Sequence, residues 1–148
     1  MAVFYILVIL GIFCGDLWVK NRIEKAKSLP DTVLGGRILI RKYHNKGAVL
    51  NLGQKKSFWV AALSLALCFL MSVVFLLSLG RRGSRTLRLG LSLLLGGAFS
   101  NTYDRLKRKY VVDYFSFPVK WKPLRRVVFN LSDFCILIGA MLSVAGAR

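Results

Sequence analysis

The sequence predicts an α-helical membrane protein of four transmembrane helices with a small β-sheet between them. Three observations carry that expectation. First, the 148 residues are 55% hydrophobic yet carry a formal charge of +17, and one soluble domain of this size is not normally so apolar. Second, the apolar residues gather in four blocks, each long enough or nearly so to cross a hydrocarbon core of roughly 30 Å. Third, a Gly-Gly pair in the longest connection is followed by a β-branched, aromatic-ended stretch.

The first block, Ala2 to Val19, holds one charge, Asp16. No Lys or Arg precedes Lys20, and bulky Phe13 stands before Cys14, so a retained span is expected rather than a cleaved or lipidated leader. The connection 20–57 contains Leu34-Gly35-Gly36-Arg37-Ile38-Leu39-Ile40-Arg41-Lys42-Tyr43, read as a turn and one strand of a small sheet. The second block, Phe58 to Leu79, has 22 residues and no charge. Gly83 and Ser84 mark a tight turn into the third block, Leu89 to Tyr103, whose 15 uncharged residues give roughly 22 Å of helix. Snorkelling Arg85 and Arg88 extend it to a span, and Gly90, Gly96 and Gly97 suit close helix packing. Pro118 and Pro123 argue against a continuous helix across 105–126. The fourth block is Val127 to Ala147. The expected spans are thus about 2–19, 58–79, 86–104 and 127–147, in a single integral membrane domain.

Charge and cysteine usage exclude several functions. The basic residues lie between the apolar blocks, where anionic phospholipid headgroups are the simplest partner, and no soluble basic domain remains for nucleic acid. Cys14, Cys68 and Cys135 each sit inside an apolar block without metal-ligand spacing, and His44 is the sole histidine. No metal or cofactor is expected. An even number of spans puts both termini on one side. The hairpin loop carries four arginines, whereas the long connections carry ten and eight Lys or Arg, so a plain positive-inside count places the long connections in the cytoplasm.

The scarce carboxylates are the best functional lead. Only six acids face 23 Lys and Arg, and a carboxylate at a helix centre costs about 2.5–3.5 kcal/mol on insertion scales. Asp133 lies in the fourth block and Asp113 ends the run Tyr110-Val111-Val112-Asp113. Asn101 and Asp104 are spaced i, i+3 at the end of the third block, and Asn130 and Asp133 repeat that spacing at the start of the fourth. These groups converge on one membrane boundary. Asp16 and Lys20, four apart, share a helix face and can pair, a structural or a functional arrangement. Serine chemistry is weak, because Ser100 and Ser132 have no base nearby in sequence. Two aspartates among amide donors fit a dyad sharing one proton, one carboxyl activating water and the other polarising a carbonyl oxygen. Amide hydrolysis at a membrane surface is the reaction this suits.

Gly96-Gly97-Ala98-Phe99-Ser100-Asn101-Thr102-Tyr103-Asp104-Arg105, Tyr110-Val111-Val112-Asp113-Tyr114 and Phe129-Asn130-Leu131-Ser132-Asp133 resemble, in order, the motifs of the lipoprotein signal peptidases, signal peptidase II. Asp16-Leu17-Trp18-Val19-Lys20 is similar to that family's Asp-x-x-x-Lys, and Asn45-Lys46-Gly47-Ala48 to its Asn-x-Gly-Ala. The resemblance implies a bacterial inner-membrane aspartic endopeptidase that removes signal peptides from diacylglyceryl-modified prolipoproteins, cutting before the lipidated cysteine. It implies Asp113 and Asp133 as catalytic residues and Asn45, Gly47, Asn101, Arg105 and Asn130 around the substrate. Asp16, Lys20 and Asp104 fall at supporting positions. It also implies cytoplasmic termini, opposite to the charge count, with the active site toward the outer leaflet, the strand-bearing connection forming an extracytoplasmic β-cradle, and a monomer. Ser100 departs from the family's usual Gly, and Val49-Leu50-Asn51 from its small-then-aromatic continuation. The competing readings are a small proton- or ion-coupled carrier and a catalytically inactive homologue.

Overall fold

The computed structural model describes residues 2–47, 56–80 and 84–147. Its long helices are α1 (Ala2–Lys25), α2 (Ser57–Gly80), α3 (Arg85–Lys107) and α5 (Leu131–Gly146). Strands β1 (Thr32–Val33), β2 (Ile38–Asn45) and β3 (Val111–Ser116) form one sheet, and a single helical turn, α4 (Lys122–Arg125), precedes α5. Two helices, α1 and α2, are long and apolar enough to cross a membrane, and α5 is a shorter apolar helix. Large apolar side chains such as Leu7 and Phe69 point outward from α1 and α2. Lipid solvates such a surface; water would not.

α3 is the central helix and packs against α1, α2 and α5. Ser84 starts it, its hydroxyl accepting the N–H groups of Thr86 and Leu87. Of the expected turn, Ser84 serves as this cap, while Gly83 lies outside the described residues. Glycines set the closest approach. A Cβ added to Gly97 would stand 2.5 Å from the Ser132 carbonyl oxygen, and one on Gly139 would stand 2.5 Å from the Leu94 nitrogen. The α3 and α5 backbones thus meet almost directly, as small residues permit in a membrane. Tyr5, Phe75, Leu91 and Leu95 fill the core between α1, α2 and α3.

The sheet is antiparallel with order β1-β2-β3. Leu34, Gly35 and Gly36, all at positive φ, turn the chain between β1 and β2, which glycine does without steric cost. The expected strand is β2, and its partners come from Thr32–Val33 and from the Asp113 segment. Ile23 of α1 packs on Val112 and Tyr114, fixing the sheet to the helices. Pro123 sits in the first turn of α4, where its missing N–H is harmless.

Three helix ends lie three residues or more from the expected span boundaries. α1 runs on past Val19 to Lys25, and α3 past Asp104 to Lys107. Helix α5 begins at Leu131 rather than Val127, because Phe129 is taken up by the sheet. The Phe129 N–H donates to the Phe115 carbonyl (2.7 Å), and its own carbonyl accepts from Tyr114 and Phe115 (2.9 and 3.0 Å).

Candidate active site

Asn130 is the local hinge of the site. It ends the extended segment and caps α5: its side-chain oxygen accepts the Asp133 N–H at 3.0 Å, while Asp133 Oδ2 accepts the Asn130 N–H at 3.0 Å. This reciprocal cap needs an Asx residue first and an acceptor three residues on. The Asn130 amide is then left to donate to Asp113 Oδ1 at 2.7 Å. One fully buried residue thereby joins both aspartates.

The remaining carboxylate oxygens are held from two other elements. Asn45 pairs with Val111 in the ladder, two residues from Asp113 and on the same sheet face, and its amide reaches Asp113 Oδ2 at 3.1 Å. Asn101 of α3 donates to Asp133 Oδ1 at 3.0 Å. Each of the four oxygens therefore receives one donor. Asp113 is only 2% exposed. Burial, and then the neighbouring charge of Asp133, push its carboxyl up to about 7, against the opposing amide bonds of Asn45 and Asn130.

Behind this pair lies a buried ionic cluster. Lys20 contacts Asp16 (2.8 Å) and Asp104 (3.2 Å), all three with fully buried side chains. Its ammonium also donates to Ser100 (3.0 Å) and to Asn101 Oδ1 (2.8 Å). An ammonium only donates, so the Asn101 oxygen must face it and the amide must face Asp133. Asp16 further accepts from Ser100, Ser132 and Tyr114. Asp104 accepts the Val112 N–H at 3.2 Å. The cluster thus ties α1, α3, β3 and α5 together beneath the two aspartates.

Arg105 flanks them, donating to the carbonyls of Gly47 (3.2 Å) and Asn101 (3.4 Å). Its Nε is buried and has no hydrogen-bond partner among the described residues. A cavity of about 680 Å³ opens here. Asn45, Asn101, Arg105, Asp113 and Asp133 line its polar part, and Leu67, Met71, Leu94 and Leu137 line it further along the helices. Polar chemistry sits at the mouth of an apolar chamber.

A family model described as signal peptidase (SPase) II matches residues 8–147, nearly the whole chain. The chain belongs to the signal peptidase II family. This signal peptidase II family member is accordingly a membrane protease. It is 31% identical to the lipoprotein signal peptidase of Caldicellulosiruptor bescii over 93% of this chain and 86% of that protein. The lipoprotein signal peptidase of Clostridium acetobutylicum is 29% identical over 85% and 79% of the two chains. Two solved bacterial membrane enzymes share its fold. One has TM-score 0.79 at 20% identity, covering 97% of this chain and 86% of the other. The second has 0.74 at 18%, covering 97% and 91%.

Of the residues singled out in this peptidase's sequence, Asp113, Asp133, Asn45, Asn101 and Arg105 come together on the cavity wall. Gly47 enters through its carbonyl, and Asn130 stands behind the aspartates. Asp16, Lys20 and Asp104 are buried away from the cavity. Val49-Leu50-Asn51 and Ala48 lie outside the described residues. Sequence reasoning missed Tyr114, Ser100 and Ser132 as partners of Asp16. Strand alternation held the signal for Tyr114, since the residue after Asp113 must face the opposite side of β3.

Proposed function

We propose that the protein cleaves diacylglyceryl-modified prolipoproteins just before the lipidated cysteine, with Asp113 and Asp133 as its catalytic pair. The observation that carries this is the set of four donors on the four carboxylate oxygens, at the polar mouth of an apolar cavity. Donors fixed in advance hold two carboxyl groups that share one proton close together, without reorganisation during reaction.

Asp113 holds the shared proton near neutral pH, and Asp133 is the base. Asp133 takes a proton from water as the water oxygen bonds to the scissile carbonyl carbon, and Asp113 donates its proton to the carbonyl oxygen. Collapse of the tetrahedral intermediate returns that proton to Asp113 and breaks the C–N bond. Asp133 protonates the leaving amine. Arg105 Nε supplies a further donor for a substrate carbonyl. The apolar part of the cavity receives apolar substrate groups, which cross no water to reach it.

The proposed setting is a bacterial cytoplasmic membrane crossed four times by a monomer. Its termini are cytoplasmic and its site is at the outer leaflet, with the β-sheet as an extracytoplasmic cradle. Purified protein incubated with a diacylglyceryl-modified precursor tests the chemistry. Asp113→Asn and Asp133→Asn are each expected to slow cleavage by at least about a thousandfold, on the order of 4 kcal/mol, with unchanged helical circular dichroism. Normal cleavage by either variant would sink the dyad reading.

A further inference from the structure

Charge is divided very unequally between the interior of this molecule and its surface. Asp16, Asp104 and Asp113 are buried, and Asp133 lines the cavity. Glu24 is engaged by His44 at 2.7 Å, which leaves Asp31 as the one exposed acid. Among the described basic side chains, by contrast, only Lys20 and Arg88 are buried. The surface is therefore more basic than the composition implies, and cleavage chemistry uses none of that excess.

Its placement is informative. The exposed cations crowd the helix ends that carry the aspartates: Arg22 and Lys25 on α1, Lys56 before α2, and Lys122 and Arg125 on α4. The chain's three tryptophans stand among them at the same end. Trp18, Trp59 and Trp121 are 60%, 68% and 67% exposed. Trp18 lies on α1, Trp59 on α2 and Trp121 just before α4, and the Arg22 guanidinium lies over the Trp18 ring, 5.2 Å from its centroid. An exposed tryptophan beside an apolar helix face seats at headgroup level, ring in the interface and indole N–H toward water. A cation within a turn of it then meets the lipid phosphate.

We propose that the site-bearing end of the molecule selects anionic phospholipid headgroups through this ring of paired tryptophans and cations: Trp18 with Arg22, Trp59 with Lys56, and Trp121 with Lys122 and Arg125. The ring draws an annulus of negatively charged lipid around the mouth of the cavity. This rests on the chain being a membrane protein and not on the assignment of the catalytic pair, so it stands or falls separately.

Because all three tryptophans lie at this end, intrinsic fluorescence reports on it alone. The full chain is reconstituted in vesicles containing equal mole fractions of phosphatidylcholine and phosphatidylglycerol, with either one or the other brominated. Brominated phosphatidylglycerol is expected to quench about threefold more strongly than brominated phosphatidylcholine, and salt at about 1 M to erase the difference. The variant Arg22→Gln/Lys56→Gln/Lys122→Gln/Arg125→Gln, altered at exposed positions alone, is expected to quench equally with both lipids while keeping its circular dichroism. Free inorganic phosphate is expected to leave the preference intact, and displacement by it would replace the headgroup with a soluble anion site. Equal quenching in the unaltered protein, or a preference that survives the fourfold variant, overturns the proposal.

Discussion

At the scale of single residues, Asn130 has two separable jobs, helix cap and bridge between the aspartates. Asn130→Ser keeps a cap but loses the amide to Asp113, whereas Asn130→Ala loses both. Thermal unfolding is therefore expected to show a loss of about 1 kcal/mol for Ala and little for Ser, while kcat falls at least about a hundredfold in both. Asp113 gives a second expectation. Its carboxyl is raised to about 7, so it is protonated below that value and charged above it. Cleavage at saturating substrate is expected to fall as pH rises through about 7, when both carboxylates become charged. A rate still climbing at pH 9 would contradict this. Fold stability changes in the same direction: between 3.8 and about 7 the folded form alone holds the proton, so stability declines as pH rises across that window. The i, i+4 spacing of Asp16 and Lys20 was enough to pair them, because one helix turn fixes that geometry. Their bonds to Ser100, Asn101 and Ser132 join residues 80 or more apart, and no local spacing encodes such contacts. Ser100, a departure from the family pattern, becomes intelligible only there, since its hydroxyl links Lys20 to Asp16.

At the scale of elements, the α3–α5 seam governs the site, because Asn101 and Asp133 face each other across it. Gly97 sits beside that contact and Gly139 two turns of α5 beyond Ser132. Gly97→Ala and Gly139→Ala both force backbones apart, each at a cost of about 1–3 kcal/mol in stability. Activity is expected to separate them: Gly97→Ala widens the gap at Asn101–Asp133 and loses most cleavage at a temperature where it is still folded, while Gly139→Ala retains more. Melting temperature and kcat measured on the same samples check this. The glycine-rich third block was legible as a packing helix. Its partner was not, since small residues announce closeness without naming a neighbour. The sheet was half legible in the same sense. β2 follows its Gly-Gly turn, but β3 is short and buried, and it lacks the alternation that marks a half-exposed strand.

At the scale of the whole molecule, the charge count and the family pattern disagree about which side the long connections occupy. A cysteine introduced as Arg37→Cys, in a background lacking the three native cysteines, is expected to react with a membrane-impermeant maleimide on intact cells. Labelling only after the membrane is opened would reverse the proposed topology. Helix content and the polar boundary were readable from hydropathy, because lipid forces apolar residues into continuous runs. The cavity was not, since it is the space between three helices whose mutual distances depend on side-chain shape.

The order in which the parts of the site leave the ribosome has a consequence of its own. Asn45, Asn101 and Asp113 are all synthesised before Asn130, which caps α5, and Asp133, which lies in its first turn. A nascent chain therefore carries at most one half of the pair, and Asp113 then lacks the neighbour and the amide that define its chemistry. With the proposed pair split in this way, proteolytic competence waits for insertion of α5. The proposed dyad thus makes a molecule without an inserted α5 silent, and the membrane is spared a half-built hydrolase.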